Sequence, residues 1–125
     1  MAEERKILVI EDDRTMQIVI RMTLAKAGYQ VHSGVDGVQG TMMARSVKPD
    51  LIILDIKMPG GDGYAVYERI RQMSDTMTIP VLIYSSVPAD QIVKRIQLAP
   101  NVHILQKPSN PDALREAVAA LLPPP

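Results

Sequence analysis

"LIILDIKMPGGDG", residues 51–63, carries four aliphatic side chains into a carboxylate, Asp55, and then into Met58, Pro59 and Gly60. An unbroken aliphatic run of this length is what a strand needs when helices cover both faces of a parallel sheet. An acid ending such a strand belongs either to a cap of the next helix or to a site at the strand's carboxyl end. "ILVIEDD", residues 7–13, repeats the pattern with three acids at its end.

Similar runs occupy 81–84 and 102–105, and "YQVHS" at 29–33 is a weaker, alternating candidate. Segments of helical period separate them. Met16, Val19, Ile20, Thr23, Leu24 and Ala27 form one helical face that stops at Gly28. Residues 36–46, with Gly37 and Gly40 inside, predict a poorer helix. Val66, Ile70 and Met73 mark a third, with Asp62 as N-cap. Ile92, Val93 and Ile96 mark a fourth that ends before Pro100. Leu114, Ala117, Val118, Leu121 and Leu122 mark a fifth, opened by "SNPD" with Pro111 in its first turn. Strands alternating with helices imply right-handed crossovers and a doubly wound parallel α/β sheet. In such a fold the site lies outside the carboxyl ends of the strands, near the point where strand order reverses.

Length and composition agree. The 125 residues suit one domain, and 46% apolar with 22% charged residues is ordinary for a globular protein. Fourteen basic residues balance fourteen acidic ones, against direct nucleic-acid binding, which wants a basic excess. With no cysteine, disulfides and thiolate metal sites are excluded. "MAEERK" opens no signal peptide, and no apolar run approaches the ~18 residues of a membrane span. A cytoplasmic protein without membrane insertion is expected. Phe and Trp are absent, so Ile, Val, Leu and eight Met must fill the interior.

Glu11 and Asp12 follow the first strand and Asp55 the third. Neighbouring strands lie ~4.8 Å apart, which would bring the three acids together. Two like charges ~4 Å apart at an effective dielectric of ~20 repel by about 4 kcal/mol. A hard divalent cation gives such a cluster its reason: Mg²⁺ takes one or two carboxylates and leaves room for water and a phosphate oxygen. Glu11 and Asp12 alone would serve equally well as acids at a helix N-terminus, and Asp13 reads as a cap. Asp55 at a second strand end tips the balance to a site. Lys107 ends the fifth run in "ILQKPSN", where an ammonium would hold an incoming phosphoryl group. Ser85 and Ser86 end the fourth, as caps or as phosphoryl donors; alone they decide nothing. Together the set suits Mg²⁺-assisted phosphoryl transfer to a carboxylate nucleophile, Asp55.

With "KILVIEDD", "KPDLIILDIKMPGGDG", "IPVLIYSS" and "QKPSN" at matching spacings, the chain resembles the receiver domain of two-component response regulators over residues 5 to 122. Ser85 stands thirty positions after Asp55, and Lys107 twenty-two after Ser85. The resemblance implies a flavodoxin-like (βα)5 fold with strand order 2-1-3-4-5, in one domain over 1–125 with a Pro tail at 123–125. It implies that Asp55 accepts phosphate from a sensor histidine kinase or phosphotransfer protein. Glu11, Asp12, Asp55 and the backbone carbonyl of Lys57 would bind Mg²⁺, Ser85 would be the switch hydroxyl, and Lys107 would hold the phosphoryl oxygen. Pro59 and Gly63 match the loop after the phosphoacceptor, and the Lys107–Pro108 bond is expected to be cis. The output would be changed contacts with a downstream protein target rather than an enzymatic product. Either a stand-alone receiver or an excised N-terminal one fits the "LLPPP" end.

Two departures bear on signalling. The fifth-strand aromatic of typical receivers is replaced by Ile104, with Tyr84 next door as a substitute, and the usual Gly-Ala turn is "APNV". Lys57 and Val87, flanking the route of attacking water in the family, imply slow self-dephosphorylation. Three rival functions are open to such a chain. A haloacid-dehalogenase-type phosphatase wants an acid where Lys57 stands, and a flavodoxin wants Ser, Thr and Gly where "EDDR" stands. A degenerate receiver used only for docking is the third.

Overall fold

Alternation of buried aliphatic runs with capped helices gives, among the described residues, β1 (Lys6–Ile10), α1 (Arg14–Lys26), β2 (Gln30–Gly34), α2 (Gly37–Ser46), β3 (Leu51–Leu54), α3 (Gly63–Gln72), β4 (Val81–Ser85), α4 (Ala89–Ile92), β5 (Val102–Gln106) and α5 (Pro111–Leu121). The computed structural model describes residues 4–58 and 62–122, so Pro59, Gly60 and the Pro tail lie outside the described residues. The strands form a parallel sheet in the order β2-β1-β3-β4-β5, the flavodoxin-like order expected. Chain order reverses between β1 and β3, whose register pairs Ile7 with Leu51 and Ile10 with Leu54.

The sheet has a core on each side. Ile7, Val9, Ile53, Leu82 and Tyr84 pack against Ile20 and Leu24 of α1 and Leu114 and Val118 of α5. Leu8, Ile10, Ile52, Leu54 and Ile83 face the other way, against Ala44, Val66, Ile70, Ile92 and Ile96. Each fully buried Leu or Ile contributes about 1.5–3 kcal/mol, so the continuous runs make β1, β3 and β4 the most strongly determined elements. β2 sits at an edge and is only half-buried, which explains its weaker, alternating pattern.

Asp13, Asp36, Asp62 and Asn110 cap α1, α2, α3 and α5 with side-chain hydrogen bonds to first-turn N–H groups. The glycine that blurs α2 has a packing reason: a Cβ on Gly40 would lie 2.7 Å from Ile10 Cγ2. That closeness seats α2 on β1.

Two expectations are corrected. Val19 of α1 and Ala27, its C-cap, are exposed, so the buried stripe is narrower than the periodicity suggests. The fourth helix is a single turn, Ala89–Ile92. Ile92 and Ile96 are buried, but Val93 is exposed. The chain tightens through Lys94 N–H to Gln91 O and Arg95 N–H to Ile92 O, then turns at Ala99, which accepts from Val102 N–H at 3.0 Å. Pro88, the N-cap of α4, makes no side-chain cap hydrogen bond of its own. No helix among the described residues is long and apolar enough to cross a membrane.

Candidate functional site

The site forms where β1, β3, β4 and β5 present their carboxyl ends. Asp55 N–H donates to Ile10 O at 3.1 Å, which extends the β1–β3 ladder to the acid itself and brings it beside Glu11. Carboxylate oxygens of Glu11, Asp12 and Asp55 lie within 4.8 Å of one another. Glu11 and Asp55 are buried, at 2% and 7% exposure, whereas Asp12 faces solvent. Two walls and an open side result, the arrangement a partly hydrated cation needs.

Lys107 follows β5, two strands away from β3, and its long stem carries the ammonium back to the acids. It bonds Glu11 Oε1 and lies 3.5 Å from Asp55 Oδ2. The ammonium also sits 5.4 Å from the centroid of the Tyr84 ring, a favourable cation–π placement. The Lys107–Pro108 bond is cis. Three carboxylates against one ammonium leave the site negative. Burial pushes the Glu11 carboxyl up to about 7 despite its hydrogen bond to Lys107. For Lys107, burial disfavours the charged form, but the bond to Glu11 and the charges of Asp55 and Glu11 outweigh it and raise its pKa. The site is therefore short of positive charge. Hard oxygen donors in that state fit Mg²⁺.

Described residues on both sides of the loop after β3 meet the acid and its backbone. Lys57, itself exposed, donates its N–H to Asp55 Oδ1 at 3.2 Å. Gly63 opens α3 hard against this backbone: its N–H donates to Ile56 O, and a Cβ there would lie 2.5 Å from Asp55 O. Only a residue without a side chain lets α3 start so close. Ser85 ends β4 fully buried, and its Oγ accepts from Val87 N–H at 3.2 Å. Ser86 is exposed. Asp13 is spent on the cap of α1, accepting from Thr15 and Met16 N–H.

Ile104 is half-buried against the core under α4. Tyr84 belongs to the opposite core, under α1 and α5, and its hydroxyl is held by Ser109 Oγ at 2.9 Å. Tyr84 therefore cannot stand in for an aromatic at position 104, because adjacent strand positions across the Ile83–Ile104 register point to opposite faces. Sequence reasoning also passed over Gln17, whose amide donates to Glu11 O, and Gln106, whose amide meets the loop after β4. A polar residue just before Lys107 was the available signal for the second.

The model of the response regulator receiver domain matches residues 7–119. Sporulation initiation phosphotransferase F of Bacillus subtilis is 29% identical over 118 residues, covering 94% of each chain. The DNA-binding dual master transcriptional regulator RpaA of Synechocystis is 39% identical over 92 residues, and the match spans 74% of this chain but 37% of that protein. Among solved structures, chemotaxis protein CheY4 of Vibrio cholerae aligns with a TM-score of 0.89 at 25% identity, over 96% of this chain and all of that one. The receiver domain of the sensor histidine kinase PA1611 from Pseudomonas aeruginosa, described with a magnesium ion coordinated in its active site cleft, aligns at 0.82 and 25% identity, over 94% and 96% of the two chains.

Proposed function

Because the chain belongs to the response regulator receiver family, we propose that it is a phosphorylatable signalling switch, one receiver unit over residues 5–122, with Asp55 as its phosphoacceptor. The observation that carries this reading is the meeting of Glu11, Asp12 and Asp55 within 4.8 Å beneath an ammonium 3.5 Å from Asp55. An Asp55 oxygen attacks the phosphorus of a phosphohistidine on a sensor kinase or phosphotransfer protein. The O–P bond forms as the P–N bond breaks, and the departing imidazole nitrogen takes up a proton. Glu11, Asp12, Asp55 and the Lys57 carbonyl would hold Mg²⁺, which would supply neutralisation of charge on the phosphoryl group. Lys107 leaves its carboxylate partners to meet a phosphoryl oxygen, and Ser85 donates its hydroxyl to another. The protein assists its own phosphorylation and dephosphorylation and turns over no other substrate. Its output is altered contact with a downstream protein in the cytoplasm, without direct nucleic-acid binding.

A surface suited to the phosphodonor lies beside the site. Ile18, Val19 and Met22 of α1 are 51%, 48% and 56% exposed, an apolar patch of the kind that marks an interaction surface. Val19 and Met22 also line a groove of about 400 Å³ completed by Thr23, Lys26, Pro111 and Arg115.

The test is incubation with acetyl phosphate and Mg²⁺, read by intact mass, for wild type and Asp55→Ala. Addition of one phosphoryl group to wild type alone is expected. A folded wild-type protein that stays unlabelled by acetyl phosphate and by phosphohistidine donors overturns the proposal. In that event the second reading, an unphosphorylated docking module, gains ground, since Ile104 already removes the ring switch.

A further inference from the structure

Of the four tyrosines in a chain with no Phe or Trp, Tyr84 alone is buried. It stands on β4 among the side chains that pack under α1 and α5, and it meets the segment after β5 on both sides of Pro108. Its ring centroid lies 5.4 Å from Lys107 Nζ. Its hydroxyl shares a 2.9 Å hydrogen bond with Ser109 Oγ. The backbone is pinned to the same strand, since Lys107 N–H donates to Ser85 O at 2.9 Å. A buried phenol needs a hydrogen-bond partner wherever it sits, so the bond to Ser109 alone would say only that the core is satisfied. The ring against the ammonium is a separate observation, and it bears on the site.

We propose that Tyr84 is a positioning residue for phosphoryl transfer, holding Lys107 where the phosphoryl oxygen arrives. The inference rests on the reading of Asp55 as phosphoacceptor. Before transfer the ammonium is shared by Glu11 and Asp55. In the transfer both carboxylates change partners: Asp55 carries the phosphoryl group and Glu11 turns to the cation. The ring is the contact that need not be exchanged. Buried apolar neighbours fix it, and Ser109 holds its far end. It attracts an ammonium through its quadrupole without adding net charge. A fourth carboxylate in its place would repel the incoming phosphoryl group. With the ring beside the ammonium and the hydroxyl on Ser109, the lysine stem starts from a fixed segment. Less freedom is then lost when Nζ meets the phosphoryl oxygen. This role differs from that of the fifth-strand aromatic of receivers, because the ring stays in place in both states.

The experiment follows labelling by excess acetyl phosphate and Mg²⁺ with intact mass in wild type, Tyr84→Phe and Tyr84→Leu. It also records the Lys107 ε-methylene protons by NMR before and after labelling. Protons over an aromatic face are shifted upfield by the ring current, so this signal reports the contact directly. Wild type is expected to show the upfield shift in both states. Tyr84→Leu is expected to lose it and to label about tenfold more slowly, within the reach of one cation–π contact and one hydrogen bond together. Tyr84→Phe, which keeps the ring, is expected to keep the shift and recover most of the rate. A labelled wild type whose Lys107 protons have left the ring overturns the proposal. So does a Tyr84→Leu variant that labels at the wild-type rate, or a Phe variant as slow as the Leu one. If Tyr84→Leu does not fold, the wild-type spectra and the Phe variant still decide. Wild type that takes no label fails at the earlier step, the assignment of Asp55, and mass separates that failure from the others.

Discussion

Lys107 Nζ lies 3.5 Å from Asp55 Oδ2 across 52 positions of sequence, and the same ammonium bonds Glu11. It is the counter-charge for two buried acids. Lys107→Ala should therefore destabilise the metal-free protein by about 3 kcal/mol at pH 8. The loss should shrink by pH 6, where Glu11 can take a proton instead. Urea unfolding at the two pH values checks this, and equal losses at both would contradict it.

The proton on Glu11 has its own consequence. Its carboxyl is raised from 4.5 to about 7, so between those values the folded state holds a proton that the unfolded chain has released. Stability of the metal-free protein should fall as pH rises through that window. Mg²⁺ binds the ionised form, so its affinity should weaken by up to about tenfold per pH unit below 7 and level off above. Calorimetric titration across pH 5.5–8.5, with proton release followed in buffers of different ionisation enthalpy, measures both.

Gly63→Ala forces a methyl group to within 2.5 Å of Asp55 O and Ile56 Cα. Backbone cannot yield as a flexible side chain would. A loss of about 2–3 kcal/mol is expected, together with weaker Mg²⁺ binding because the Asp55 backbone must shift. Thermal unfolding with and without Mg²⁺ separates the two effects.

Ile18→Asp and Met22→Asp alter only exposed positions on α1. Phosphotransfer from a protein donor should slow about tenfold, equivalent to about 1.4 kcal/mol of docking energy. Labelling by acetyl phosphate should be unchanged, since a small donor needs no docking surface. Parallel loss with both donors would place the defect at Asp55 instead.

The phosphoryl group, once on Asp55, should persist for minutes or longer. The resemblance to receivers would put Lys57 and Val87, a long and an apolar side chain, along the route of an attacking water. Mass spectra taken at intervals after removal of acetyl phosphate read the decay, and a half-life of seconds would refute slow loss.

Much of this architecture is legible in the sequence. The runs ending at Ile10, Leu54 and Tyr84 are buried on both faces, and only a covered parallel sheet makes that pattern. The acids stand at strand ends, and the spacing to Ser85 and Lys107 matched a family whose site uses those ends. The length of α4 was less legible, because Ile92 and Ile96 keep helical spacing while the backbone between them continues as turns, with Ile96 N–H still on Ile92 O at 2.8 Å. The face of Tyr84 was illegible too, because side-chain parity has no meaning until the register of β4 and β5 is known.

The chain's own order of residues determined the alternating fold and the chemical types at its open edge, because burial and backbone pairing act on patterns that run along the sequence. Tertiary structure alone decided that Lys107 answers Glu11 as well as Asp55, that Gly63 must be bare where α3 meets Asp55, and that Tyr84 on β4 meets Lys107 and Ser109 beyond β5. Each of these depends on atoms a few ångströms apart in space and far apart along the chain, and such distances are set only when the two cores pack the helices against the sheet.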